Sequence, residues 1–174
     1  MLFIGCQPSM TVSSDYDRTI EFSSYKTYQL LPWAEAARGI VEKNGQTAIN
    51  EAIISELNTK GYTYVEKGGD LVVSPFVHID EKMGTTAYTT TYGMGGYGYY
   101  GGFGYGSAQT TYNNYTYEVG SLILDIYDQR EKKLIWQAVG STEISEKSEK
   151  NQRQIPTYVR QVLHDYPNQG ASKK

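Results

Sequence analysis

Paired carboxylates are the first residues of this sequence whose spacing could support chemistry. Asp15 and Asp17 alternate along a predicted strand, which places both side chains on one face, and Asp125 and Asp128 lie at the end of another. Such pairs act as acid–base catalysts when they converge in a cleft, but solvated acids at strand edges are far more common. We expect the common arrangement, and an enzyme of an unfamiliar class would require all four acids to meet.

Other candidates for catalysis or metal binding are few. His78 and His164 are the only histidines, and neither has a cysteine or a second histidine at metal-ligand spacing. The sequence contains no Gly-x-Ser-x-Gly elbow for a nucleophilic serine, and the glycines at 93–96 lack the preceding apolar strand and the lysine of a phosphate-binding loop. We therefore predict surface histidines and expect no enzyme activity, no metal and no cofactor.

Cys6 is the one cysteine, which excludes a disulfide within the chain. It follows Leu2-Phe3-Ile4-Gly5, a short apolar run ending in a small residue, as is typical of a bacterial lipoprotein signal that is cut before the cysteine. We predict residues 1–5 as the remnant of a signal peptide, Cys6 as the lipidation site and 6–10 as a tether. Attached acyl chains would anchor the protein to a membrane. An unmodified thiol near the terminus is the alternative.

Residues 83–117 carry no charge and contain nine glycines and nine tyrosines. Ordering so much glycine costs backbone entropy, so we predict a long loop inserted between two strands. The loop could be a tolerated insertion without a partner, a site where copies of the chain pair, or a contact surface for glycan, protein or membrane. As the surface we single out its aromatic residues Tyr92, Tyr97, Tyr99, Tyr100, Phe103 and Tyr105.

Length and charge narrow the class of protein. A chain of 174 residues favours one domain, which we place at residues 11–167, before a polar tail at 168–174. The net charge of −3 comes without a basic patch, so a nucleic-acid partner is not expected. The sequence has no apolar run of the length that a membrane-spanning helix needs.

The elements that must position these residues follow from the apolar periodicity. Strands are predicted at 11–17, 25–31, 62–66, 71–79, 121–127 and 133–139. Leu122, Leu124 and Ile126 share one face, as do Leu134, Trp136 and Ala138, and both faces should meet the helices. Pro75 indicates a sheet edge or a bulge.

Two helices are predicted. The first runs from about Thr47, which could cap it, to Lys60, where Gly61 can adopt the left-handed conformation that ends a helix. The second covers 155–166, with Pro156 in its first turn. This order predicts an α+β fold with two helices on one face of a mostly antiparallel sheet, and a helical crossover would permit one parallel pair.

Short motifs along nearly the whole chain resemble a family of bacterial lipoproteins known as domain of unknown function 4136. They are Cys6 and residues 15–17, 22, 25–28, 57–62, 70–73, 120–128, 134–136 and 166–167. The resemblance implies an envelope lipoprotein exposed to the periplasm and supplies no catalytic residue. Gln7 follows the cysteine where aspartate would favour the inner membrane, so the resemblance implies the outer membrane.

The leading hypothesis is a non-catalytic lipoprotein of the cell envelope that binds or scaffolds an envelope protein or glycan in the periplasm. The alternative is an accessory subunit of an envelope transport or assembly complex, docked through the sheet edge near Pro75 or through the last helix.

Overall fold

The computed structural model describes residues 10–33, 40–91, 108–145 and 147–169, and it describes only the backbone of residues 85–91 and 108–115. In chain order the described elements are β1 (Thr11–Tyr16), a 3₁₀ turn (Phe22–Ser24), β2 (Thr27–Leu30), α1 (Lys43–Thr59), β3 (Thr63–Tyr64), β4 (Leu71–Thr91), β5 (Ala108–Asp128), β6 (Lys133–Glu143) and α2 (Ser148–Val162). Two helices and one sheet confirm the α+β class.

The six strands form a single sheet in the order β1-β6-β5-β4-β2-β3. β6 is antiparallel to β1 and to β5, whereas β2 is parallel to both β3 and β4. The sheet is therefore mixed, and the expectation of a mostly antiparallel sheet needs correction. The parallel pairs arise because α1 carries the chain from the end of β2 back to the level at which β2 begins, so the next strands run in the same direction.

The chain divides into two compact units. One consists of Met1–Asp80 with Val119–Lys174, and the other of Glu81–Glu118. In the second unit the described residues belong to β4 and β5, which run well beyond the predicted ends at 79 and 121 because threonine and tyrosine favour extended backbone. Of the predicted insertion, 83–91 and 108–117 are strand, and 92–107 lie outside the described residues.

The core lies between the helices and one face of the sheet, in the first unit. It combines the predicted inner residues of β5 and β6 with the apolar faces of both helices: Leu122, Leu124, Ile126, Trp136, Ala138, Ile49, Ile53, Leu57, Val159 and Val162. Leu134 was wrongly assigned to this face, since it is 40% exposed while Ile135 is buried. The cause is a shift in the strand register between Ile126 and Tyr127, which adds one residue to β6.

The helix ends confirm one predicted cap and correct two starts. At the end of α1, Gly61 has φ +96 and donates its N–H to the Asn58 carbonyl. At its start the helix begins at Lys43, and the Thr47 hydroxyl donates to the Lys43 carbonyl instead of capping. Helix α2 begins at Ser148, so Pro156 lies inside it and not in the first turn.

Pro75 lies in β4, two residues after Val73, the last residue of β4 in register with β2. Its missing N–H therefore removes no described pairing with β2.

Candidate binding site

The four aspartates do not form one cluster. Asp15 and Asp125 lie in one row across three strands because each pairs with Gln137, whose Nε2 donates to Asp125 Oδ1 at 2.7 Å. Asp17 forms an ion pair with Lys133. Within the described part of the chain, no group of three or more His, Cys, Asp or Glu side chains could hold a metal ion.

Asp128 has a structural role in the turn between β5 and β6. Its Oδ1 accepts hydrogen bonds from the backbone N–H groups of Arg130 and Glu131, at 2.7 and 2.8 Å, and its Oδ2 accepts one from the Tyr25 hydroxyl at 2.7 Å. Burial, followed by this carboxylate, raises the pKa of Tyr25, so its hydroxyl stays protonated and can donate. These contacts fix the turn and the loop before β2.

Both histidines lie at the surface, as predicted. His78 Nε2 is 2.9 Å from Asp80 Oδ1, and His164 Nδ1 is 2.8 Å from Asp165 Oδ1, with the histidine side chains 52% and 82% exposed.

The other predicted site residues lie outside the described part of the chain. They are Cys6 and the aromatic residues Tyr92, Tyr97, Tyr99, Tyr100, Phe103 and Tyr105. Their roles in lipidation and contact stay predictions. Among the described helices, neither is long and apolar enough to cross a bilayer.

Sequence reasoning missed an apolar cavity of about 320 Å³ in the first unit. It lies between the first turns of α1, the middle of α2 and the inner face of the sheet. Its apolar walls come from Met10, Val41, Ile49, Val77, Ile79, Leu122, Ile144, Ile155, Tyr158 and Val159. Engineered apolar cavities of about 150 Å³ stay dry and bind benzene, so this space is large enough for a sizeable apolar group.

At two places in the cavity wall, a side chain packs directly against the backbone of a glycine. A Cβ on Gly45 would lie 2.8 Å from Val41 Cγ1, and one on Gly120 would lie 2.9 Å from Ile144 Cδ1. Val41 and Ile144 can therefore pack directly against the backbone of α1 and β5. Larger residues at either glycine would displace these two side chains.

The cavity has an acidic rim and an apolar interior. Glu42 and Glu143 are the only charged residues among the described residues that line it. Asn151 also lines it, but its side chain is engaged with the backbone of Ser145, accepting from the N–H at 3.0 Å and donating to the carbonyl at 2.7 Å. The apolar interior suits an uncharged apolar chain, because burying a charged group there would cost free energy.

The fold and the site together define the class of protein. It is an α+β domain with an apolar cavity between its helices and a mixed sheet. A PDZ domain protein from Parabacteroides distasonis ATCC 8503 shares the fold over 95% of this chain, with a TM-score of 0.56 and 18% identity, and the match covers 37% of that chain. The PelC dodecamer from Paraburkholderia phytofirmans matches 94% of this chain and 100% of its own, with a TM-score of 0.52 and 12% identity. A variant of this PelC dodecamer matches with a TM-score of 0.51 and 15% identity.

Residues 12–168 match the model of the family described as domain of unknown function, DUF4136, and the chain belongs to this family. The match confirms the resemblance drawn from the sequence motifs. No curated protein gives a significant match. Because the chain is only 12–18% identical to these solved structures, its likeness to them establishes the fold alone.

Proposed function

We propose that this protein is a non-catalytic lipoprotein of the cell envelope, anchored through Cys6 at the outer membrane and facing the periplasm. Its domain binds an uncharged apolar chain in the cavity between the helices and the sheet. The observation that carries the proposal is the cavity itself. A concave apolar space of about 320 Å³ falls within the size range of small-molecule sites.

Binding is tested with the full chain carrying Cys6→Ser, which removes the proposed lipidation. Titration with an uncharged alkyl probe, such as a fluorescent long-chain alcohol, should show one saturable site. Val77→Phe adds volume inside the cavity, whereas Val139→Phe makes the same change on the opposite face, where Val139 pairs with Ser13 and Ile123. The first variant should weaken binding roughly tenfold and the second should not.

Absence of saturable binding to the unlipidated chain would remove the cavity from the proposal. A thermal shift provides a second readout, because a ligand at 100 times its Kd stabilises the folded state by about 2.7 kcal/mol. Equal weakening by both phenylalanine variants would mean that the probe does not bind in the cavity.

The anchor is supported by the apolar run before Cys6 and by the sequence motifs of the family resemblance. Palmitate labelling of the native protein, compared with Cys6→Ala, tests it directly. The native protein should take the label and sediment with outer membranes, and the variant should do neither. Label that persists in Cys6→Ala would disprove lipidation at this residue.

A protein partner is the second candidate, favoured by exposed aromatic residues on both edge strands of the sheet. Tyr16 of β1 is 51% exposed and Tyr64 of β3 is 37% exposed. Unpaired edges with apolar groups are ready sites for association, and PelC, which has the same fold, is a dodecamer. Cross-linking in cells should give one dominant protein adduct if the chain is an accessory subunit, and light scattering decides whether that partner is another copy.

A further inference from the structure

We infer that the cavity accommodates one of the acyl chains carried by the protein's own Cys6. The inference rests on the lipidation proposed above and names the occupant of the proposed site. It commits to a covalently attached chain, and a free lipid is an outcome of the test.

The first argument is where the N-terminal segment joins the domain. Met10 lines the cavity, and its sulfur packs against β6 so closely that a Cβ on Gly140 would lie 2.7 Å from it. The next residue, Thr11, begins β1 and pairs with Ser141. The chain therefore enters the edge strand β1 directly beside the cavity wall.

The second argument is the length of chain between the cavity and the thiol. Cys6 precedes Met10 by four residues, and each residue spans at most about 3.6 Å, so the two Cα atoms lie within about 14 Å of each other. An acyl chain on Cys6 can thus reach the cavity without crossing the domain. Because the chain and the cavity belong to one molecule, they meet at the high effective concentration of a short tether.

The third argument is charge. The described lining residues offer two carboxylates, Glu42 and Glu143, and no cation. Both carboxylates are exposed, so each disfavours the carboxylate of a free fatty acid or the phosphate of a phospholipid by about 0.2–1 kcal/mol. Acyl chains on a lipoprotein cysteine are joined through uncharged ester and amide groups, so they bring the apolar chain without the repelled head group.

If one acyl chain lies in the cavity, the lipid anchor is shared between the protein and the bilayer. The cavity volume of about 320 Å³ suits part of a single alkyl chain, so the remaining chains stay in the bilayer. Stable anchoring requires more than one acyl chain in the membrane, so removing one chain weakens the hold on the membrane. An acyl chain held in the cavity also keeps the cavity face of the domain close to the lipid surface.

The test uses the full-length protein in cells fed a palmitate analogue that carries a diazirine, which envelope enzymes transfer to Cys6. After irradiation, mass spectrometry of the digested protein should find adducts within the same chain, on peptides containing Ile155 or Ile49. Val77→Phe should reduce these adducts roughly tenfold, while Val139→Phe should leave them unchanged. Cys6→Ala should abolish them, which shows that the label came from Cys6 and not from a free lipid.

Two results would overturn the inference, and they are distinguishable. Labelled Cys6 that cross-links only to phospholipid, or to side chains of the opposite sheet face such as Ile123, leaves the anchor standing and removes its chain from the cavity. Adducts that survive Cys6→Ala assign the cavity to a free lipid, and a native protein without label disproves both the anchor and the inference. If Val77→Phe fails to fold by circular dichroism, Ile155→Phe makes the equivalent change from α2.

Discussion

At the scale of single residues, Asp70 joins the starts of β2 and β4. Its Oδ2 accepts hydrogen bonds from the backbone N–H groups of Lys26 and Thr27, at 2.9 and 3.0 Å, and from the Thr27 hydroxyl at 3.0 Å. The Asp70 N–H donates back to the Thr27 hydroxyl oxygen at 3.0 Å. These donors, the Lys26 N–H first, hold the pKa of Asp70 below its usual value.

Asp70→Asn should lower the free energy of unfolding near pH 7 by about 1–2 kcal/mol, because the three donors then face a neutral amide oxygen in place of a carboxylate. Since the pKa is lower in the folded than in the unfolded chain, the stabilisation is complete above the unfolded value of ~3.9. It is lost as the pH falls through the lowered folded value. Urea unfolding of both proteins from pH 7 downwards should show the gap closing in acid, and a gap that stays constant would contradict the assignment.

The rim carboxylates give a second prediction at this scale. An alkyl alcohol should bind the Cys6→Ser chain roughly five- to tenfold tighter than the fatty acid of equal length at low salt, because exposed charge interactions amount to about 0.2–1 kcal/mol each. Replacing Glu42 and Glu143 together by glutamine should narrow the difference, and so should salt, which screens charges beyond about 10 Å at 0.1 M. Competition against the fluorescent probe measures both, and tighter binding of the acid would count against an acidic rim.

At the scale of elements, α2 packs closely against β6 at Gly140. A Cβ there would lie 2.4 Å from Val162 Cγ2, inside the core. Gly140→Ala should therefore destabilise the protein by about 1–3 kcal/mol through overpacking. Val162→Ala removes the clashing methyl groups, so the double variant should lose less than the sum of the two single losses, by about 0.5–3 kcal/mol. Denaturant unfolding of the four proteins checks this, and strictly additive losses would mean that the two elements do not meet here.

The elements also show what periodicity can and cannot predict. Alternation identified the buried face of β5, because only one register places Leu122, Leu124 and Ile126 in the core, and it identified that of β6 from Trp136 onward but not at Leu134. The apolar stripe located both helices but not their starts, since Lys43 and Ser148 precede the first apolar residues of the stripes and carry no apolar signal. Parallel pairing of β2 with β3 and β4 depends on where α1 returns the chain, which local sequence does not determine.

At the scale of the whole molecule, the candidate site could be predicted only in part. Cys6 and the aromatic segment are local signals, readable from neighbouring residues. The cavity is not local, because Met10, Val77 and Tyr158 come together only after the sheet and both helices are assembled. Each of these residues resembles ordinary core in the sequence. The one readable sign was that β4 continues its apolar alternation through Val77 and Ile79, past the residues that pair with β2.

The division into two units gives the last prediction. Every residue of the described core belongs to the first unit, and the entropy of closing a loop changes by only about 0.6 kcal/mol for each doubling of its length. Replacing residues 92–107 by Asn-Gly shortens this segment from 16 residues to two, which corresponds to about 1.8 kcal/mol of loop-closure entropy. The melting temperature should therefore shift by no more than about 7 °C at this size, and probe binding in the cavity should stay unchanged. Recovery of peptidoglycan or envelope proteins by the purified chain should fall, because the six aromatic residues are removed. Equal recovery by both proteins would show that this segment is a tolerated insertion, and a large loss of stability would show that the first unit depends on it.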